Sequence, residues 1–179
     1  VDLFAYRMKP ADASARVRRM AEFARKTDAF RLRQGDMKQF DREVALVADI
    51  FNEAWRNNWG VSPISAPELE MVIGELRHFF RGNCVRFVER GEETVGMMIV
   101  LPNYNEIIGG WRGRLFPFNW LRLAWRLWRE DVHSARVVLL GLRDIVRGGT
   151  RGAGLLALMI DSFLEESRNY DIDWVEFSW

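Results

Sequence analysis

Hydrophobic positions along this chain change period several times, and each change marks an element. Over residues 11–26, Val17, Met20, Ala21 and Ala24 recur at helical spacing with arginines on the other face, which predicts a basic helix. Phe30-Arg31-Leu32-Arg33 alternates like a half-exposed strand, and Gly35-Asp36 breaks it. Asp36 with Gln39 has the form of a capping box, so a helix is expected from about Met37. Phe40, Val44, Val47, Ala48, Phe51 and Trp55 carry its period to about Asn57. Ser65-Ala66-Pro67-Glu68 is a second capping box, with proline in the first turn where its missing N–H costs nothing. It opens a helix expected to reach about Phe80. Residues 84–89 and 94–101 are apolar strand candidates, joined by hairpin chemistry in Arg90-Gly91-Glu92-Glu93. Residues 103–117 read as a loop, 119–130 as a helix, and 135–142 as a strand buried on both faces. A glycine-rich turn at 148–154, a helix over 153–167 and a strand over 172–179 complete the pattern.

The resulting order, β-α-α-β-β-(α)-β-α-β, joins an antiparallel meander to a closing β-α-β crossover. It predicts a mixed α/β domain with helices on both faces of the sheet. With 179 residues, 49% of them hydrophobic, the chain can bury the core of one domain, and its 12 Phe and 8 Trp exclude a disordered chain. The single Cys84 excludes a disulfide scaffold. No apolar run approaches the ~20 residues that a membrane-spanning helix needs. Val1-Asp2-Leu3 lacks the form of a signal peptide, so a cytoplasmic setting is expected. The chain opens on Val1 and ends on Trp179 within an apolar-aromatic strand pattern, which reads as a piece of a longer protein.

Charge adds a pattern that the formal net of +1 conceals. Residues 1–35 and 111–160 are basic, and residues 36–110 and 161–179 are acidic. The basic side of 111–160 is nine arginines with no lysine. Guanidinium groups match phosphate oxygens two at a time, so an anionic ligand fits there, as does pairing with the acidic blocks. Acidic blocks of similar size interrupt the basic ones, which argues against nucleic acid as a partner.

The segment from Arg136 to Leu155 concentrates the chemistry. An apolar strand runs into Arg147-Gly148-Gly149-Thr150-Arg151-Gly152-Ala153-Gly154, and a helix follows. Unpaired amides and the dipole at such a helix start favour an anion, and glycines allow close approach of a phosphate. An ordinary tight turn has the same composition.

Order and spacing here resemble the GNAT superfamily of acyl-CoA N-acyltransferases. Arg151-Gly152-Ala153-Gly154-Leu155-Leu156 matches the first and fourth positions of its [Gln/Arg]-x-x-Gly-x-[Gly/Ala] motif and departs at Leu156. A narrower resemblance, to an uncharacterised bacterial GNAT-like branch, rests on Asn52-Glu53-Ala54-Trp55, Asn58-Trp59-Gly60, Leu101-Pro102-Asn103-Tyr104-Asn105, Gly113-Arg114-Leu115-Phe116-Pro117 and Glu176-Phe177-Ser178-Trp179. The resemblance divides the chain into a basic helical segment, 1–28, and a GNAT-like domain, 29–179, whose C-terminal part is missing. It implies acetyl-CoA or a longer acyl-CoA as co-substrate, a small amine as acceptor, and no metal. CoA would be held by Arg147 and by the backbone of Arg151, Gly152, Ala153, Gly154 and Leu155, with pantetheine along the strand at Leu140 and Leu142. Glu176 is the candidate base, unless it pairs with an arginine. Asn58 and Trp59 either line the acceptor pocket or form a helix cap with a packed indole.

Other constellations carry less. His78 and His133 are far apart in sequence with no ligand cluster beside them, which argues against zinc, and no nucleophile elbow supports a serine triad. Within 119–130, Arg122, Arg126 and Arg129 form one stripe on an otherwise apolar, Trp-rich helix. Three coverings fit it: a missing part of the protein or a second copy, a fatty acyl chain, or a membrane surface. The sequence thus leaves open an inactive binding lobe and a lipid-handling protein beside the N-acyltransferase.

Overall fold

In the computed structural model, which describes residues 6–12, 14–27, 30–74, 82–111, 118–129 and 132–177, the chain alternates short strands with helices. In order these are β1 (Tyr6–Met8), α1 (Ala15–Thr27), β2 (Phe30–Gln34), α2 (Phe40–Trp55), α3 (Ala66–Ile73), β3 (Val85–Arg90), β4 (Glu93–Pro102), α4 (Asn105–Ile108), α5 (Asn119–Trp128), β5 (Ser134–Leu142), α6 (Gly149–Ser167) and β6 (Trp174–Phe177). The strands form one sheet in the order β1-β6-β5-β4-β3-β2. All neighbours are antiparallel except β5 and β6, which the α6 crossover makes parallel.

Helices cover both faces, as the alternation of strand and helix patterns predicts. On one face Ala21 and Ala24 of α1 and Leu155, Leu158 and Met159 of α6 pack with Met98, Val100, Val137 and Val175. On the other, Val47 and Ile50 of α2 pack with Val85, Phe87, Met97 and Ile99. Ser65 caps α3 as a full capping box: its hydroxyl accepts from the Glu68 amide at 3.4 Å, and the Glu68 carboxylate accepts from the Ser65 amide at 2.7 Å. Asp36 accepts from the Lys38 amide at 2.9 Å, and a single 3-10 turn, Met37–Gln39, leads into α2.

Several elements differ from the sequence pattern, each for a physical reason. The last helix starts at Gly149, four residues before the expected 153, because close packing on α1 overrides the poor helix propensity of its glycines. β5 is not buried on both faces: Val138 is 37% exposed and Leu139 and Leu140 are half-buried. α4 lies within the stretch expected as loop. Residues 6–27 join the main domain: β1 pairs with β6 at the sheet edge, and α1 supplies core side chains. The expected helix end at 75–80, loop residues 112–117 and the last two residues lie outside the described residues.

Candidate functional site

Among the described residues, β6 pairs in parallel with β5 over Ser134 to Val137, and the described part of β6 ends there, at Phe177. Leu139 to Leu142 of β5 pair with β4. Between these two stretches β5 carries a β-bulge. Ile99 faces Leu139 and Val100 faces Val137, so Val138 has no partner in β4. A bulge bends its strand and leaves the extra residue out of the ladder.

Side chains fix the faces of this part of β5. Leu142 is buried in the core and Leu140 packs partly against it. Gly141 lies under Trp55; a Cβ there would come within 2.5 Å of the indole. Trp55 in turn stacks on Phe51 with ring centroids 5.0 Å apart.

The chain leaving β5 is tied to the end of α2. Arg143 donates to Glu53 at 2.7 Å, to Asp49, and through Nε to the Thr94 carbonyl at 2.8 Å. Burial works against its charge, but the bonds to Asp49 and Glu53 outweigh it and raise its pKa. Desolvation likewise opposes the Glu53 carboxylate. The Asp144 amide, 2.7 Å away, and Arg143 outweigh it and hold Glu53 below the ordinary carboxylate value. Asp144 pairs with Arg56, and Arg147 donates to the Ala54 carbonyl. Arg147, expected at a CoA phosphate, is therefore engaged with α2 and Asp144.

α6 begins directly after this tether. Gly148 (φ 98°) and Gly149 (φ 56°) take left-handed conformations, and a Cβ on either would meet nothing within 4 Å. They border a cavity of about 300 Å³ whose lining also includes Thr150, Arg151, Phe23, Ala24 and Phe30. First-turn amides of a helix have no acceptor one turn back. The Gly152 amide already donates to the Gly148 carbonyl at 3.0 Å. α6 therefore begins at Gly149, ahead of the Arg151–Leu155 stretch expected to hold CoA. Gly152 lies with its Cβ position 3.1 Å from the Val146 carbonyl, and Leu155 is in the core. Ala153 is half-buried, and Gly154 faces α1, with its Cβ position 3.3 Å from the Ala24 methyl.

Asn58 and Trp59 stand at the same end of the sheet, in the turn after α2 where the Asn58 amide donates to the Trp55 carbonyl at 2.8 Å. The Trp59 indole is not packed; it is 100% exposed. Glu176 stands apart from them. It is buried opposite Arg136, 2.6 Å from that guanidinium and 3.7 Å from Arg7, two residues before the bulge. Sequence reasoning missed the bulge at Val138 and the Arg143–Glu53–Asp49 tether, since neither has a local signature. The Gly148-Gly149 pair was visible as turn chemistry but was assigned no amides of its own. A second cleft, of about 330 Å³, lies at the opposite end of β4 and β5, where Arg86 pairs with Glu166. The described residues contain no group of three metal-ligating side chains, and no described helix is long and apolar enough to cross a membrane.

No family model matches the chain. It is 33% identical over 183 residues to a bacterial ceramide synthase of Caulobacter vibrioides, a match that covers 99% of the chain and 46% of that protein. The chain thus spans about half the length of the curated relatives it matches. Among solved structures, a GCN5-related N-acetyltransferase from Sphaerobacter thermophilus superposes with a TM-score of 0.51 at 14% identity, over 84% of this chain and 35% of the other. The C-terminal domain of an Agrobacterium fabrum protein assigned as a lysylphosphatidylglycerol synthetase gives 0.54 at 8% identity, over 98% and 48%. These likenesses and the six-stranded sheet, parallel among the described strands only between β5 and β6, establish that the chain has the GNAT N-acetyltransferase fold.

Proposed function

We propose that the chain binds an acyl-CoA and serves a transferase that moves the acyl group to an amine. The observation that carries the reading is the Val138 bulge of β5, on the strand that leads to the glycine turn of α6. In this reading the amides of Gly149 and Thr150 and the helix dipole hold the pyrophosphate. The edge of β5 from Leu139 to Leu142 pairs with the pantetheine amides. The thioester carbonyl then lies near Val138, whose N–H is outside the ladder and suited to hold the oxyanion. The amine enters beside Asn58 and Trp59 and attacks the carbonyl; the new C–N bond forms, the C–S bond breaks, and CoA leaves as the thiolate, which then takes a proton from water. Glu176 takes the amine proton through a water, once Arg136 yields. The supply of CoA thioesters places the reaction in the cytoplasm.

Similarity to a ceramide synthase supports a long-chain amine as acceptor, since a ceramide is an N-acylated long-chain amino alcohol. The pairing of the buried Glu176 with Arg136 favours a second reading, a lobe that binds acyl-CoA without turning it over.

Calorimetry on the full-length protein with acetyl-CoA and long-chain acyl-CoAs tests the site, and binding at micromolar levels is expected. Thr150→Glu puts a carboxylate where the phosphate would sit, yet an acid in the first turn of a helix does not destabilise it. It should weaken binding at least about tenfold, since repulsion of roughly 1.4 kcal/mol suffices, and leave the melting temperature unchanged. No heat with any acyl-CoA would overturn the proposal. Binding without thiol release in the presence of long-chain amines would select the second reading.

A further inference from the structure

We infer that α5 is a docking helix for an anionic membrane surface. Residues 118–129 hold three arginines, three tryptophans and one phenylalanine, with no Asp, Glu or Lys. Four large apolar side chains in and just before the helix are uncovered. Phe118 is 73% exposed, Trp120 46%, Leu121 50% and Trp125 51%. Arg122 and Arg129, both exposed, fall beside Leu121 and Trp125 on the helix surface, and the Arg129 guanidinium lies over the Trp125 ring, 4.8 Å from its centroid. A wide apolar arc bordered by a cationic stripe is the form of a helix that lies in the headgroup region of a bilayer. Indole and guanidinium groups suit that layer because each joins an apolar body to a polar tip. At 10 residues the helix can lie on a membrane but not cross it.

Charge selects the occupant. A second copy docked through the same face would bring two arginine stripes together, which is repulsive. An anionic lipid surface neutralises the stripe while its interfacial zone takes up the aromatic side chains. Position agrees with this. α5 lies in the β4–β5 connection, at the end of these strands opposite the α6 turn, and its main packing partner is the short α4. It can meet a flat surface without covering the acyl-CoA slot.

Flotation of the full-length protein with vesicles tests the inference, and its readout does not involve CoA. Vesicles of phosphatidylglycerol with phosphatidylcholine should carry the protein, vesicles of phosphatidylcholine alone should carry far less, and added salt should release it. Arg122→Gln and Arg129→Gln should each weaken partitioning about fivefold. Leu121→Ser with Trp125→Ser should abolish it, with the cooperative melt retained. Should a variant misfold, the wild-type comparison of the two vesicle types and the salt series decides alone. Equal binding to neutral vesicles, no flotation at all, or self-association that these substitutions abolish while vesicles are ignored would each overturn the inference.

Discussion

Gly154 illustrates how one residue type serves two ends. In the sequence it belongs to a glycine-rich run that reads as a phosphate turn. In the fold it is the point where α6 meets α1, its Cβ position 3.3 Å from the Ala24 methyl and 3.5 Å from the Met20 carbonyl. Within that run, Gly148 and Gly149, with positive φ and open space around them, are the ones placed as turn glycines. The sequence could not separate the two pairs, because helix-packing and turn glycines look alike until the partner helix is known. A specific outcome follows. Gly154→Val must push α1 away from α6, at a cost of about 1–3 kcal/mol for overpacking. Urea unfolding should show this loss whether or not acyl-CoA is present. A Gly154→Val protein with wild-type stability would mean that the two helices are not in close contact.

At the scale of elements, the connection between β5 and α6 depends on α2. Glu53 accepts from both Arg143 and the Asp144 amide, so it fixes the strand end and the approach to the helix together. Glu53→Gln removes the charge opposite Arg143 and is expected to lower stability by about 1–3 kcal/mol. The sign of the pH dependence follows from the direction of the shift. Glu53 is held below the ordinary carboxylate value in the folded state, so its contribution is present above that ordinary value. It is lost as pH falls through the lower, folded-state value. Wild type and variant should therefore differ most near neutral pH and converge on acidification, as thermal melts across that range would show. A difference independent of pH would remove the charge from the explanation. Elements with local signals were legible beforehand: the Ser65–Glu68 capping box, the 3.6-residue period of α2 and the hairpin between β3 and β4. β1, three residues long, and the tether itself were not, because long-range pairing alone defines them.

For the whole molecule, the alternation of strands and helices was enough to anticipate a sheet covered on both faces, but not how the N-terminal segment joins it. The resemblance set it apart as a basic helical segment. In the fold, Ala21 is fully buried and Ala24 nearly so, against the α6 side of the core. The arginines of α1 occupy outward positions, while Arg25 reaches Asp161 of α6 at 3.4 Å. Burial pushes the Asp161 carboxyl up, and the nearby Glu165 adds to that. Removing residues 1–28 would take Met8, Val17 and Met20, with Ala21 and Ala24, out of this core and free the outer edge of β6. Each large apolar side chain returned to water costs roughly 1.5–3 kcal/mol, against a total stability on the order of 5–15 kcal/mol for a domain. Three such side chains bring the loss into the range of the whole. A chain of residues 29–179 is therefore expected to keep helical circular dichroism, lose its cooperative melt and bind a hydrophobic dye. If that shortened chain instead melts cooperatively near the wild-type temperature, α1 is an appendage and the core of this domain closes without it.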